Sequence, residues 1–150
     1  MSSFSAEITW ERGDARFTDN RYSRGHRWAF DGGHVVPASS SPHVVPLPYS
    51  VEENVDPEEA YVAALSSCHM LFFLSLAAKA GLVIDSYADK AVGEMEKVDG
   101  KMQVTRITLN PRITYSGQAP DWDTEADLHH RSHDLCFLAN SVKTQIEVNF

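Results

Sequence analysis

The chain is short of several things, and each shortage narrows what it can be. Of its 150 residues only two are cysteine, Cys68 and Cys136, and they stand 68 positions apart. That is too few for a disulfide-stapled secreted scaffold, and no CxxC redox or zinc motif is formed. Positive charge is scarce too: 13 lysines and arginines against 21 acidic residues leave a net charge of −8. This argues against a nucleic-acid partner, which is bound through a basic face that displaces counterions. The unbroken apolar run of the central segment, Met70 to Leu74, is too short to cross a bilayer. The opening residues, MSSFSAEITWERGD, carry neither the basic n-region nor the apolar h-region of a signal peptide. A cytoplasmic protein with no membrane or nucleic-acid partner is the expectation. Internal repeats and low-complexity tracts are lacking as well, and the length suits one globular domain over residues 1–150.

What is present starts with alternation. Ala6, Ile8 and Trp10 fall on one face of a first strand, and RGHRWAF (residues 24–30) reads as a second. Asp31-Gly32-Gly33 turns it into a short third strand around His34 to Val36. Residues 37–57, with Pro37, Pro42, Pro46, Pro48 and Pro57 and a cluster of serines, show no periodicity and read as a long ordered loop. A helix follows. Asp56 is placed to cap it, Pro57 suits its first turn, Glu59 completes a capping box, and Gly81 ends it. Residues 86–98 and 101–115 read as two strands joined at Asp99-Gly100, a hairpin signal, with Pro111 marking an edge or a distortion. A second helix is predicted from about Trp122 to Asn140, and TQIEVNF closes the chain as a strand.

The order βββ-α-ββ-α-β predicts an α+β domain, an antiparallel sheet with a central buried helix and a second helix. The central helix is apolar round most of its circumference, more than a small sheet can cover. An intertwined homodimer that sandwiches the helices is therefore expected.

Two residues of the central helix, in AALSSCHMLFFL, do not match their apolar neighbours: Cys68 and His69. A lone buried thiol is more often a space-filler than a nucleophile. Yet Ser66, Ser67 and His69 put polar groups on a helix that otherwise avoids them, and Cys136 has polar company in HHRSHDLCFLANS. If the fold brings the sulfurs together, Cys68 is open to oxidation and Cys136 to disulfide closure. A metal site is the rival: His129, His133 and Cys136 share a helical face at i, i+4 and i+7, with His69 or Cys68 available as a fourth ligand. HHRSH is equally an ordinary polar helix surface. Glu58 and Glu59 suit the positive end of a helix dipole without any further role.

DPEEAYVAALSSCHM resembles the helix start and first catalytic cysteine of the OsmC/Ohr family of thiol peroxidases. HDLCFLANSVKTQIEV resembles the same family's second cysteine, helix end and final strand. The resemblance runs in order and spacing from about residue 3 to the end. It implies a peroxidatic Cys68, a resolving Cys136 and a glutamate–arginine pair that activates the first thiol, with no cofactor and no metal. Glu58 matches the glutamate of the family's Asn/Asp-Pro-Glu motif. The arginine comes from an N-terminal strand or from the loop before the helix; residues 37–57 hold none, so Arg24 in YSRGHRW takes the role, with Arg27 next. Phe137 departs from the pattern, standing where proline is common.

Ten residues of helix separate Glu58 from Cys68 by about 15 Å along the axis, so one site using both draws Glu58 from a second subunit. The chemistry implied is attack of the Cys68 thiolate on an organic hydroperoxide, with release of an alcohol. Condensation with Cys136 and reduction by a dithiol, such as a lipoylated protein, complete the cycle. A non-catalytic dimer binding a hydrophobic ligand between its subunits is the alternative from a different class.

Overall fold

The computed structural model describes residues 1–150, which divide into two compact units, 1–60 and 61–150. In the first, β1 (Ala6–Thr9), β2 (His26–Phe30) and β3 (Val35–Ala38) form an antiparallel sheet in that order. Ile8 faces Trp28 and Trp28 faces Val36, which puts the apolar residues of alternate positions in register. The turn after β2 works as its glycines suggest. Gly33 takes a left-handed φ of 96°, and the Phe30 N–H donates to the His34 carbonyl at 2.9 Å. Between β1 and β2 an aromatic cluster gathers the loop: Phe17 stacks on Tyr22 at 4.7 Å, and Trp10 packs edge-on to Tyr22 at 5.5 Å.

The loop after β3 is ordered, as expected, and its hydrogen bonds say why. Ser39 Oγ accepts from the Val51 N–H at 2.9 Å, Asn54 Nδ2 donates to the Ala38 carbonyl at 3.1 Å, and Val55 bridges to Ala38. Ser39 and Ser41 are therefore internal ties, the Ser41 hydroxyl accepting from the His43 N–H at 3.1 Å, while Ser50 is buried with its hydroxyl unpartnered. At its end the Asp56 carboxylate accepts from the Glu59 N–H at 2.8 Å while Glu59 Oε1 accepts from the Asp56 N–H at 3.4 Å. This is the capping box that starts α1 (Pro57–Lys79).

In the second unit α1 stops at a Schellman turn. The Leu82 N–H donates to the Ala77 carbonyl at 3.0 Å, the Gly81 N–H donates to the Ala78 carbonyl at 3.1 Å, and Gly81 has φ 80°. Four strands follow, not two. The predicted strand over 86–98 divides into β4 (Ile84–Asp89) and β5 (Val92–Val98); that over 101–115 divides into β6 (Lys101–Leu109) and β7 (Pro111–Tyr115). The breaks fall opposite one another, at Lys90-Ala91 and at Asn110. Pro111 lacks a ladder donor and takes the first place in β7. Asp89 fastens the joint, accepting from the Asn110 N–H at 2.6 Å and from the Ser66 hydroxyl of α1.

As a result β4 pairs antiparallel with β7, while β5, β6 and β8 (Gln145–Val148) form a separate sheet with β6 and β8 parallel. Asp99 and Gly100, at φ 51° and 78°, make the tight hairpin turn between β5 and β6. The second helix, α2 (Trp122–Leu135), is capped by Asp121, which accepts from the Thr124 N–H at 2.8 Å. It ends five residues short of Asn140, the chain passing through a 3-10 turn at Ala139–Ser141.

Two buried clusters hold α1 in place. Phe73, Leu76 and Ala77 pack with Leu128 of α2, Tyr87 and Ile113; Leu65 packs with Ile107 and Leu109 of β6. Gly93 lets β5 approach closely: a Cβ there would stand 2.7 Å from Val62 Cγ2. By length and hydropathy alone α1 could span a bilayer, but Leu65, Phe73, Leu76 and Ala77 are spent on this packing, and His69 is buried beside them. Leu71, at 59% exposure, stays outside it.

Candidate functional site

Cys68 lies mid-way along α1, half-buried, and Cys136 is the residue that ends α2, 1% exposed. Helix α1 presents one thiol and the end of α2 brings the other near it, close enough for Cys68 to act on the Cys136 thiol, and neither is in a disulfide. Burial pushes the Cys136 thiol up from its ordinary range, and the contact with Cys68 pushes in the same direction. The Cys136 amide is tied back into the helix, donating to the Ser132 carbonyl at 2.9 Å. Its sulfur accepts from the Ala139 N–H at 3.4 Å. The 3-10 turn thus fixes the sulfur as well as the backbone.

Phe137, the departure from the family pattern, has a visible consequence. Its ring meets Phe72 edge-on at 5.0 Å, with an interplanar angle of 87°, while remaining 72% exposed. Phe72 is one turn beyond Cys68 and Phe137 adjoins Cys136, so an aromatic pair borders the two thiols.

His69 follows Cys68 in sequence but points about 100° round the helix from it. It is 1% exposed, and its Nε2 hydrogen-bonds His129 Nδ1 of α2 at 3.0 Å with the rings nearly parallel. Burial lowers the pKa of each ring to about 4; the next contributions are His133 for His69 and His69 for His129. Both rings are therefore neutral near pH 7. The face of α2 expected to carry His129, His133 and Cys136 is thus divided between two different neighbours, His69 and Cys68. No group of three His, Cys, Asp or Glu side chains converges as a metal would require.

The other two site residues lie in the first unit. Glu58 stands half-buried in the first turn of α1, beside the capping box, and takes part in no ion pair. Arg24 precedes β2, which begins at His26; the strand predicted from residue 24 starts two residues later. Its guanidinium folds over the Tyr22 ring at 3.7 Å and donates to the carbonyls of Tyr22 and Asn20 at 2.6 and 3.0 Å, and to Asn20 Oδ1 at 2.9 Å. Arg27, on β2, lines an open surface cleft with Thr9, Glu11, His26 and Asn54. Neither the hydrogen-bonded histidine pair nor the Ser66–Asp89 tie is expected from the sequence. The only signals for them are Asp89 at a strand end and His129 on the buried stripe with Ala126 and Leu128.

With this geometry in view, comparison with known proteins is informative. The model of a family described as OsmC-like protein matches residues 51–150. Among solved structures, an OsmC-like protein of unknown function from Vibrio cholerae shares 54% identity, covers 99% of each chain and superposes with a TM-score of 0.96. At fold level, an organic hydroperoxide resistance protein OsmC from Legionella pneumophila is similar, with 12% identity, TM-score 0.72, and 99% and 95% of the two chains covered. So is an organic hydroperoxide resistance protein from Elizabethkingia anophelis, with 16% identity, TM-score 0.73, and 99% and 93% covered. No curated protein matches the chain in sequence.

Proposed function

This chain belongs to the OsmC-like family, and from that premise we propose that it is a thiol-dependent peroxidase that reduces organic hydroperoxides. The observation that carries the reading is the proximity of two free thiols, Cys68 and Cys136, delivered by two helices from distant parts of the chain, with Cys68 acting on the Cys136 thiol. The names of fold-level relatives as hydroperoxide resistance proteins agree with it. The division of roles follows from exposure. Cys68, the more accessible sulfur, takes the oxidant; buried Cys136, its thiol pushed up, waits as the resolving group.

In the first step the Cys68 thiolate attacks the distal oxygen of ROOH. The O–O bond breaks, the alkoxide takes a proton and leaves as ROH, and Cys68 becomes a sulfenic acid. In the second, the Cys136 sulfur attacks the Cys68 sulfur, forming the S–S bond and expelling water. A dithiol reductant, such as a lipoylated protein, then returns both thiols and is itself oxidised to a disulfide. The Phe72–Phe137 rim and the apolar side chains of α1 favour an organic peroxide over hydrogen peroxide.

Arg24 is assigned to activating the Cys68 thiol, with Arg27 as its alternate, and Glu58 to holding the guanidinium. Because ten helical residues separate Glu58 from Cys68, the assignment makes the site one shared by the subunits of a homodimer. The chain acts as one domain, in a reducing cytoplasmic setting that keeps both thiols available. Stopped-flow oxidation with a panel of hydroperoxides and a dithiol, with mass spectrometry of the products, tests the scheme. Cys68→Ser should consume no peroxide; Cys136→Ser should complete one turnover and then accumulate Cys68 sulfinic acid. Wild-type steady-state rates in both variants would falsify it.

A further inference from the structure

The buried histidine pair is used by no step of the chemistry above, yet it sits beside one cysteine in sequence and two helical turns before the other. His69 Nε2 and His129 Nδ1 meet at 3.0 Å, with the rings 9° from parallel and both residues 1% exposed. His129 is clamped further by Phe73 and Phe150, whose rings lie 4.4 and 4.5 Å from its own. The remaining ring nitrogens, His69 Nδ1 and His129 Nε2, are buried without a partner, as is His133 Nδ1.

A pair so enclosed is costly to bury, because each unpartnered nitrogen has given up water for nothing in return. An aromatic or aliphatic residue would fill the same space without that cost. What apolar packing cannot provide is direction. Phe73, Leu76 and Ala77 of α1 meet Leu128 through contacts that tolerate sliding or rotation. A hydrogen bond between two planar rings tolerates neither. It is the one side-chain hydrogen bond that joins α1 to α2. Its position matters too, since the two cysteines have to close to about 2.05 Å between sulfurs to form their bond.

We propose that the His69–His129 hydrogen bond is a positioning device for the resolving thiol. It sets the rotation and height of α2 on α1, and so holds Cys136 in line with Cys68. His69 is a positioning residue, not a base for the thiol, because its Nε2 is committed to His129 and its ring points away from Cys68 around the helix. The inference rests on the two-cysteine reading above and concerns only its second step.

The test separates the two steps. In rapid-quench mass spectrometry, the rate of Cys68 sulfenic acid formation and the rate of disulfide closure are read independently. His129→Leu keeps the bulk but removes the acceptor or donor; His129→Asn returns a polar atom to the place of Nδ1. The first rate should stay within about twofold of wild type in both variants. Closure should slow at least about tenfold in His129→Leu, as misalignment of reacting atoms does, with Cys68 sulfinic acid appearing as closure falls behind. His129→Asn should recover most of that loss. Wild-type closure in His129→Leu overturns the proposal, and so does an Asn variant as slow as the Leu one, which would mean packing alone matters.

Diamide, which drives disulfide formation without peroxide, provides the same closure comparison if peroxide fails to oxidise Cys68. Failure of the peroxidase reading is thereby distinguished from failure of this one. Should His129→Leu not fold, nitrogen-15 NMR of the wild type decides. A slowly exchanging ring N–H shared by two neutral histidines at pH 6 is expected, and two rings titrating independently near the ordinary histidine value overturn the proposal.

Discussion

Acid should unfold this protein earlier than its carboxylates alone would dictate, and the histidine pair sets the size of the effect. Each ring has its pKa lowered from 6.5 to about 4, chiefly by burial. In the unfolded chain both rings return to ordinary values and take up protons as the pH falls below about 6.5. The folded state resists that uptake, so protonation pulls the equilibrium toward unfolding. The pair's contribution is fully present above pH 6.5, drains away between 6.5 and about 4, and is exhausted below. Each tenfold loss of proton affinity on folding is worth about 1.36 kcal/mol, so one ring accounts for about 3 kcal/mol. Part of the lowering of His129 comes from His69 itself, so the pair together is worth less than twice that. Against a total stability of about 5–15 kcal/mol for a domain, this is a large share.

Urea titrations followed by tryptophan fluorescence at pH 7, 6, 5 and 4 measure it directly. The comparison is with the double variant His69→Gln/His129→Asn, which retains polar atoms but cannot titrate. The wild type should lose stability between pH 6.5 and 4 at up to about 2.7 kcal/mol for each step of one in pH, the limit for two protons. The double variant should stay nearly flat over that interval. Equal slopes in the two proteins would refute the reasoning, because the protons would then be going elsewhere.

Three further outcomes are expected. Arg24→Ala should slow Cys68 oxidation about tenfold or more, the worth of one charge-assisted hydrogen bond, and Arg27→Ala should slow it less; the reverse ranking in stopped-flow traces would transfer the role to Arg27. Gly93→Ala should destabilise the protein by about 1–3 kcal/mol in urea melts, since its Cβ would stand 2.7 Å from Val62 Cγ2; an unchanged midpoint would show that α1 shifts freely off β5. Sedimentation at micromolar concentration should give one species of twice the chain mass, and a stable, active monomer would dispose of the shared Glu58 site.

The features legible in the sequence are those decided within a few residues. Asp56 and Glu59 announce their capping box, Gly81 its left-handed stop, and Asp99-Gly100 its tight turn, because the atoms that stabilise each are nearby. The division of two strands into four is not legible, since alternation of side chains continues through Lys90-Ala91 while the pairing partner changes from β7 to β6. The end of α2 is hidden as well: Leu138 to Asn140 are good company for a helix, and only the backbone at Cys136, with ψ 112°, reveals the stop. Both cysteines stand out by their polar neighbours. The histidine bond does not, for its two halves lie 60 residues apart and each looks like a surface residue or a ligand. Arg24 is visible as a cation but not as a residue held by Tyr22 and Asn20.

Cys136 ends a helix, and a helix end has a sign. The negative end of the α2 dipole lies at this residue and disfavours a thiolate there, as burial does, and the Ala139 N–H that its sulfur accepts offsets only part of this. A sulfur kept in its protonated form is a slow target for any oxidant diffusing in from solvent. The proposed cycle therefore runs one way: oxidant enters at Cys68, and Cys136 becomes reactive only once a sulfenic acid has formed next to it. The two thiols are chemically alike and yet not interchangeable, and a protein with the pair transposed between the two helices would expose its reserve before it had anything to rescue.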